Sequence, residues 1–323
     1  MNLIRPSFSI IEQKPDLQGI YDIIEDAGKT SYKSDVFGGE IAKQFVEFRQ
    51  KDKHYAVLEF GTVYLKIRCT DGNLIEKEEI VRWYKSNKYS VVNKSIELEP
   101  VAGITFYVPV YYITTNYRVL VENGRLNDLK YLCSEPTPMH EKRYCVRFIL
   151  DRFTGEEFLR HRVFSFCRES TRYCNYSKDK FNNSITFIIP SWIPKPELFE
   201  GENVVNIEGA WTSDKRIIRI ENDSKIDEWL HAIQYVERAY LRLVSENENP
   251  AWQAQQARTI LPCAIKSPLA MCGFAHDWIH FFHLRALGTT GAPHPQAKEL
   301  AEPLMQEFIK RGYLTEEQIK DAI

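Results

Sequence analysis

The hydrophobic pattern changes period along this chain, and that change limits the folds open to it. Val63, Leu65 and Ile67 alternate with Tyr64 and Lys66 ahead of an Asp71-Gly72 turn, which is the period of a half-buried strand. From about 89 to 150 the sequence is dense in Val, Ile, Thr and Tyr (GITFYVPVYYITT, YRVLV, YCVRFIL), so it reads as strands or hairpins, broken by a short helical segment at 123–132. Early in the chain Ile41, Phe45 and Phe48 recur at helical spacing after the Gly38-Gly39 break, so the first third reads as a helix leading into paired strands. Helical spacing dominates the last third. Ile233, Val236, Tyr240 and Leu243 form a stripe within 226–246, and Pro250 opens a second helix that ends near Pro262. Ser267-Pro268 opens a third helix, which runs to Gly288. A fourth begins near Pro295 and stops at Gly312, and Thr315-x-x-Gln318 caps a short tail helix. Strands early and helices late predict an α+β class.

Length and charge narrow the function. With 323 residues, 42 Lys plus Arg against 44 Asp plus Glu and a net charge of −2, the surface as a whole is not built for nucleic acid or acidic lipid. Any anion must therefore meet a local basic patch. No stretch approaches the ~18 apolar residues of a membrane span, and MNLIRPSFSIIEQKPD meets charge and proline too early for a signal peptide. The expectation is a cytoplasmic protein with neither a membrane nor a nucleic-acid partner. The seven cysteines (Cys69, Cys133, Cys145, Cys167, Cys174, Cys263, Cys272) are dispersed and contain no C-x-x-C pair, which disfavours a disulfide framework and a zinc knuckle.

Polar chemistry concentrates in two places. Residues 160–173 carry Arg160, Arg162, Arg168 and Arg172 against Glu169, interleaved with His161, Ser165, Ser170, Thr171 and aromatics. Arginine forks and hydroxyls suit a phosphorylated small ligand; the plain alternative is an arginine-rich surface tied up in salt bridges. Neither a Walker phosphate loop nor a G-x-G-x-x-G fingerprint is present. The second place is His276, His280 and His283 at i, i+4 and i+7, with Arg285 beyond. This spacing is similar to that of zinc ligands and admits a zinc hydrolase, although three histidines on one straight helix converge poorly on one ion and Asp277 is short for a general base. A helix packed by Trp278, Phe281 and Phe282 is the plain alternative. The 160–172 patch alone also admits a non-catalytic nucleotide- or RNA-binding module in which aromatics stack on bases.

Taken together, the two clusters resemble a known family. Arg160-His161-Arg162, seven residues and then Ser170 is similar to the R-H-R-x7-S signature of flavin-dependent thymidylate synthases, and Arg172-Tyr173 fits its flank. Ala257-Arg258-x-x-Leu261-Pro262 and Leu284-Arg285 resemble two further segments, with Arg285 following Arg258 by 27 positions. Ser31 and the stretch from His54 to Glu59 resemble the amino-terminal flavin-contacting region. The resemblance implies one catalytic domain over 1–323, with a mixed sheet, a helical C-terminal part and a β-rich insertion at about 70–150. It also implies a homotetramer with shared active sites that converts dUMP to dTMP, using FAD, NADPH and methylenetetrahydrofolate and no cysteine nucleophile. By position, FAD falls to Ser31, His54, Glu59, Arg160, His161, Arg162, His276 and His280. The substrate falls to Glu157, Arg160, Arg168, Glu169, Ser170, Thr171, Arg172, Arg258 and Arg285, with Arg285 catalytic. The chain departs from the family pattern at Cys167-Arg168, where Asn-Glu is usual, and at Glu157, where glutamine is common. It departs again at Phe274, His276 and His280, where Asn, Arg and Asn are usual.

Overall fold

The computed structural model describes residues 1–32, 39–69, 73–101, 104–193, 204–207, 210–212, 217–218, 224–245, 247 and 250–320. The Asp71-Gly72 turn lies outside them. Strands β1 (Asn2–Ile4) and β2 (Ser7–Ile11) lead into helices α1 (Asp16–Tyr32) and α2 (Glu40–Lys51), a 3-10 turn (Tyr55–Phe60) and strand β3 (Thr62–Arg68). Helix α3 (Leu74–Ser86) then precedes strands β4 (Val91–Val101) and β5 (Ile104–Asn116) and helix α4 (Tyr117–Glu122). Strand β6 (Arg143–Ile149), helix α5 (Arg152–Phe158), and strands β7 (Ser165–Arg168), β8 (Thr186–Ile188), β9 (Val205–Ile207), β10 (Ala210–Thr212) and β11 (Ile217–Ile218) follow. The chain continues through helices α6 (Ser224–Leu243) and α7 (Ala254–Ala257), strand β12 (Leu269–Phe274), and helices α8 (Ala275–Phe282), α9 (Pro295–Lys310) and α10 (Glu316–Lys320).

The sheet that carries the site is antiparallel, in the order β2-β6-β12-β7. Its side chains alternate cleanly. Val146, Phe148, Leu269 and Met271 point to one face, where Trp278, Phe281 and Phe282 of α8 and Leu300, Leu304 and Phe308 of α9 cover them. Cys145, Ala270 and Cys272 point to the other, against Ile23 and Ala27 of α1. One turn further round, Ile20 and Ile24 of α1 pack on Val63 and Leu65 of a second sheet, β3-β5-β4. Helix α1 therefore lies between two sheets, with an apolar face toward each. Each large side chain buried here contributes about 1.5–3 kcal/mol by leaving water.

The α+β class and most late helices agree with the sequence pattern, and the disagreements have local causes. YRVLV (117–121) folds as α4 rather than strand because the Asn116 side chain accepts from the Val119 amide at 3.2 Å and caps a helix there. Helix α3, unanticipated, interrupts the β-rich segment. In α2 the buried positions are Ala42 and Val46, while Ile41 and Phe48 are 42% and 56% exposed, so the face is turned one position from the expected stripe. The helix expected from Pro250 shrinks to α7 and a 3-10 turn (Arg258–Ile260).

The helix expected from Ser267 begins instead as strand β12, a short apolar run whose period cannot separate strand from helix. It becomes helical only at Ala275, where the Asp277 carboxylate accepts from the Phe274 amide at 2.9 Å. Gly273 is required on that strand, since a Cβ there would stand 2.4 Å from the Phe164 ring. The expectation against disulfides is corrected at one pair: the β6-β12 register sets Cys145 directly opposite Cys272 and they are bonded. Among the described residues, no helix is long and apolar enough to cross a membrane.

Candidate active site

The centre of the site is built where α5 ends and where α8 loosens. Asp151 caps α5 by accepting from the Thr154 amide at 3.0 Å, and after Phe158 the chain turns through Arg160, His161 and Arg162 into β7. On the facing side α8 widens into a π turn (His283–Leu287), which ends at Gly288 in the left-handed region, φ 69°. A π turn of this kind often marks a functional position. Arg285 projects from it. Its Nη1 donates to Glu157 Oε2 at 2.5 Å, its Nη2 to the Glu157 carbonyl at 2.7 Å, and its Nε to His161 Nε2 at 3.1 Å. The guanidinium is thereby fixed in one plane.

His161 is buried among Phe164, Phe281 and His280, the nearest ring centroid being Phe281 at 5.1 Å. Burial, and then the charges of Arg285, His280 and Arg160, push its pKa down to about 4. The imidazole is therefore neutral at physiological pH, and because Nε2 accepts from Arg285 its proton sits on Nδ1. Burial also lowers the pKa of Arg285 while Glu157 raises it, and an arginine so placed remains charged.

Arg160, Arg162, His280, Arg285 and Thr290 line a polar cavity of about 640 Å³. Among the described residues the side chains of Arg160 and Arg162 have no hydrogen-bond or ion-pair partner. A second cavity of about 590 Å³ shares Glu157, Arg160 and His294 with the first.

The remaining candidates fall into two other groups. The 170–172 turn is held by α1: the Ser170 amide donates to the Ser31 carbonyl at 3.3 Å, and Ser31 Oγ lies 3.0 Å from Cys167 Sγ. Thr171 is half-buried on this turn, and Arg172 Nε donates to Gln255 on α7 at 3.2 Å, one turn before the exposed Arg258, whose side chain has no partner among the described residues. Arg168 and Glu169 face inward. Arg168 donates to Ser267 Oγ and Glu156 Oε1, each at 2.7 Å, and to the Arg152 carbonyl at 3.0 Å. Buried Glu169 accepts from the Tyr176 hydroxyl at 3.0 Å. Within the arginine patch, a salt bridge holds Arg168 but, among the described residues, none holds Arg160, Arg162 or Arg172.

The third group surrounds Arg143. Its Nη1 donates to the Glu59 carbonyl at 3.0 Å, and its guanidinium lies 5.5 Å over the Phe274 ring. The Glu59 carboxylate pairs with Arg118 at 2.5 Å. His276 stacks on Phe274 at 5.5 Å, and its Nδ1 lies 3.3 Å from Glu141 Oε1, a contact that raises its pKa. His54 stands exposed at the start of the 3-10 turn, 3.4 Å from Arg49.

The three histidines of the zinc spacing separate. His276 and His280 are exposed, while His283 is buried and donates from Nε2 to the Ile319 carbonyl of α10. Among the described residues no three His, Cys, Asp or Glu side chains are grouped to hold a metal ion. Arg143, Phe153, Trp192, Trp229 and His294 were not singled out from sequence. Only the fold reveals that they line clefts or carry the third group, since an isolated Trp or His has no period or spacing to flag it.

Comparison with known proteins bears on this arrangement. No curated protein matches the sequence. Two solved structures of the UMP/dUMP methylase PolB from Streptomyces cacaoi, one bound with 5-Br dUMP and one with 5-Br UMP, align with TM-scores of 0.41 at 12% and 13% identity. The alignments cover 96% of this chain and 93% and 92% of those. The family described as thymidylate synthase complementing protein matches residues 129–311, more than half of the chain and the whole stretch from Glu157 to Arg285. The chain belongs to the thymidylate synthase complementing protein family.

Proposed function

We propose that the chain is a flavin-dependent thymidylate synthase that methylates dUMP at carbon 5 to give dTMP, with methylenetetrahydrofolate as one-carbon donor and NADPH as reductant. One observation carries this reading: Arg285 is held by Glu157 and neutral His161 at the wall of a cavity whose other guanidiniums, Arg160 and Arg162, have no partner among the described residues. A fixed, desolvated cation of this kind stabilises charge that develops on a ring placed against it. Arg285 would lie against the uracil, favouring attack by carbon 5 on the one-carbon unit, and the carbon 5 proton is lost afterwards. His161 contributes by staying neutral: it orients Arg285 without competing charge, and a protonated imidazole could not accept from Nε.

The phosphate of dUMP would be held by Ser170, Thr171 and Arg172 with Arg258. Arg168 and Glu169 support that turn from inside, where the resemblance had placed them on the substrate. The donor set fits a flavin dinucleotide, because two guanidiniums with no partner among the described residues, beside an imidazole, suit its diphosphate. Arg160, His161, Arg162 and His280 would hold FAD, together with Ser31, His54, Glu59 and His276. Bound, it supplies the hydride that completes the methyl group. The enzyme would act as a homotetramer in which several subunits complete each site. We read 1–323 as one catalytic domain, with the β-rich insertion at about 70–150 carrying β4, β5 and α3.

An absorbance spectrum of the purified protein, followed by an assay for dTMP, tests the proposal. Flavin absorbance and dTMP formation dependent on NADPH and methylenetetrahydrofolate are expected. Protein that binds no FAD and forms no dTMP refutes it.

A further inference from the structure

Glu157 and Arg285 stand side by side on the wall of the cavity of about 640 Å³, and the groups they leave open form a pattern. Glu157 Oε2 and the Glu157 carbonyl accept from Arg285 Nη1 and Nη2, and Arg285 Nε donates to His161. These bonds use three of the guanidinium's N–H groups, so one N–H is left on each of Nη1 and Nη2. Glu157 Oε1 has no partner among the described residues, and the Glu157 side chain is 29% exposed. A carboxylate accepts hydrogen bonds and donates none, whereas an arginine only donates. The wall therefore presents a fixed acceptor, Oε1, beside a fixed donor on Nη1, the nitrogen that Oε2 holds.

A pyrimidine placed against Arg285 meets this pair with its position 4 and its N3. In uracil these are a carbonyl and an N–H, so acceptor faces acceptor and donor faces donor. Uracil satisfies the pair only when moved one place along its edge, with N3–H on Oε1 and O2 on Arg285. In cytosine the same positions carry an amino group and an unprotonated nitrogen, and both contacts become hydrogen bonds without a shift. We propose that the chain has a second activity, the methylation of a 4-aminopyrimidine nucleotide, dCMP, at carbon 5 to give 5-methyl-dCMP, with Glu157 as the residue that selects the amino group. This rests on reading the chain as a methylating enzyme with the base against Arg285. In that step carbon 5 bonds to the methylene carbon of methylenetetrahydrofolate, the folate nitrogen leaves with the electron pair of its bond to that carbon, and carbon 5 gives up its proton. A hydride drawn from NADPH then completes the methyl group, and the amino group is kept.

Isothermal titration of the full chain, with whatever flavin it carries, compares dCMP, dUMP and the 2-pyrimidinone deoxynucleotide, which lacks any group at position 4. Separate incubations of dCMP and dUMP with NADPH and methylenetetrahydrofolate are read by mass spectrometry. The wild type should form 5-methyl-dCMP and bind dCMP at least about tenfold more tightly than the 2-pyrimidinone nucleotide, since that ligand loses a hydrogen bond to a charged acceptor. Glu157→Gln should shift the ratio of dCMP to dUMP affinity by about tenfold or more toward dUMP, because the amide can donate to the uracil carbonyl. Thermal melts show whether the variant is folded, and the 2-pyrimidinone comparison removes the same hydrogen bond without altering the protein. Formation of dTMP without 5-methyl-dCMP overturns the inference, as does an unchanged affinity ratio in folded Glu157→Gln. Failure of the methylating reading has a different signature: neither nucleotide is methylated, and the second activity falls with the first.

Discussion

Acid should destabilise this protein through His161 in a way that can be isolated. The imidazole is 6% exposed, accepts from Arg285 and has its pKa lowered from 6.5 to about 4, chiefly by burial. An unfolded chain takes up a proton on this residue below about pH 6.5, while the folded protein refuses it until about pH 4. Between those values the unfolded state binds more protons, so stability falls as pH falls through the window and the loss stops near its lower end. Each tenfold change in proton affinity is about 1.4 kcal/mol, which makes the whole contribution about 3 kcal/mol. His161→Gln keeps an acceptor for Arg285 but does not titrate. It should be the less stable protein at pH 7, through lost ring contacts with Phe281 and His280. Urea unfolding at several values from pH 7.5 to 4 should show the gap between wild type and variant closing by about 3 kcal/mol as acid is added. A gap constant across that range would refute the assignment of a neutral, Arg285-bound imidazole, because the carboxylates common to both proteins cancel in the comparison.

Other perturbations separate the roles of neighbouring residues. Arg285→Ala should lower kcat by at least about 10²–10³-fold while flavin stays bound, and turnover near the wild-type rate would remove Arg285 from the chemistry. Ser170→Ala should raise the Kd for dUMP by up to about tenfold with kcat little changed, since one hydroxyl among several phosphate donors is lost; direct titration with dUMP reads this. Cys167→Ser should retain activity in a dTMP assay, because burial raises the thiol's pKa and the reaction proposed needs no thiolate. Thiol titration in denaturant should count the five free cysteines, Cys69, Cys133, Cys167, Cys174 and Cys263, with Cys145 and Cys272 appearing only after reduction.

The legible parts of the fold are those where one local rule acted alone. Val63, Leu65 and Ile67 alternate because one face of β3 is covered, and all three are fully buried. The stops at Gly288 and Gly312 are legible because both glycines take the left-handed backbone that ends a helix, and the Thr315 cap forms as its spacing requires, with Gln318 returning a bond to the Thr315 amide at 2.8 Å. Where two rules compete, tertiary packing decides. LAMCGF has no period of its own, and the partners that make it a strand lie in β6 and β7, more than 100 residues away in the sequence. The cross-strand pairing of Cys145 with Cys272 depends on that same register and was hidden for the same reason.

The site divides along the same line. A motif marks residues whose chemistry is needed, but it does not say which way each faces. Arg168 and Arg172 look equivalent in sequence, yet Arg168 has Gly155 beside it, where even a Cβ would stand 3.0 Å from its Nη2, and two part-buried acceptors, Ser267 Oγ and the Arg152 carbonyl, that draw it inward. Spacings of four and three residues set His276, His280 and His283 on one face of a regular helix, but the π turn that begins at His283 changes the residues per turn there, and the third imidazole enters the core and meets the Ile319 carbonyl. That same local widening carries Arg285 two residues later. The widening that takes His283 out of line with His276 and His280 therefore also sets the direction in which Arg285 leaves the helix, toward Glu157 and His161.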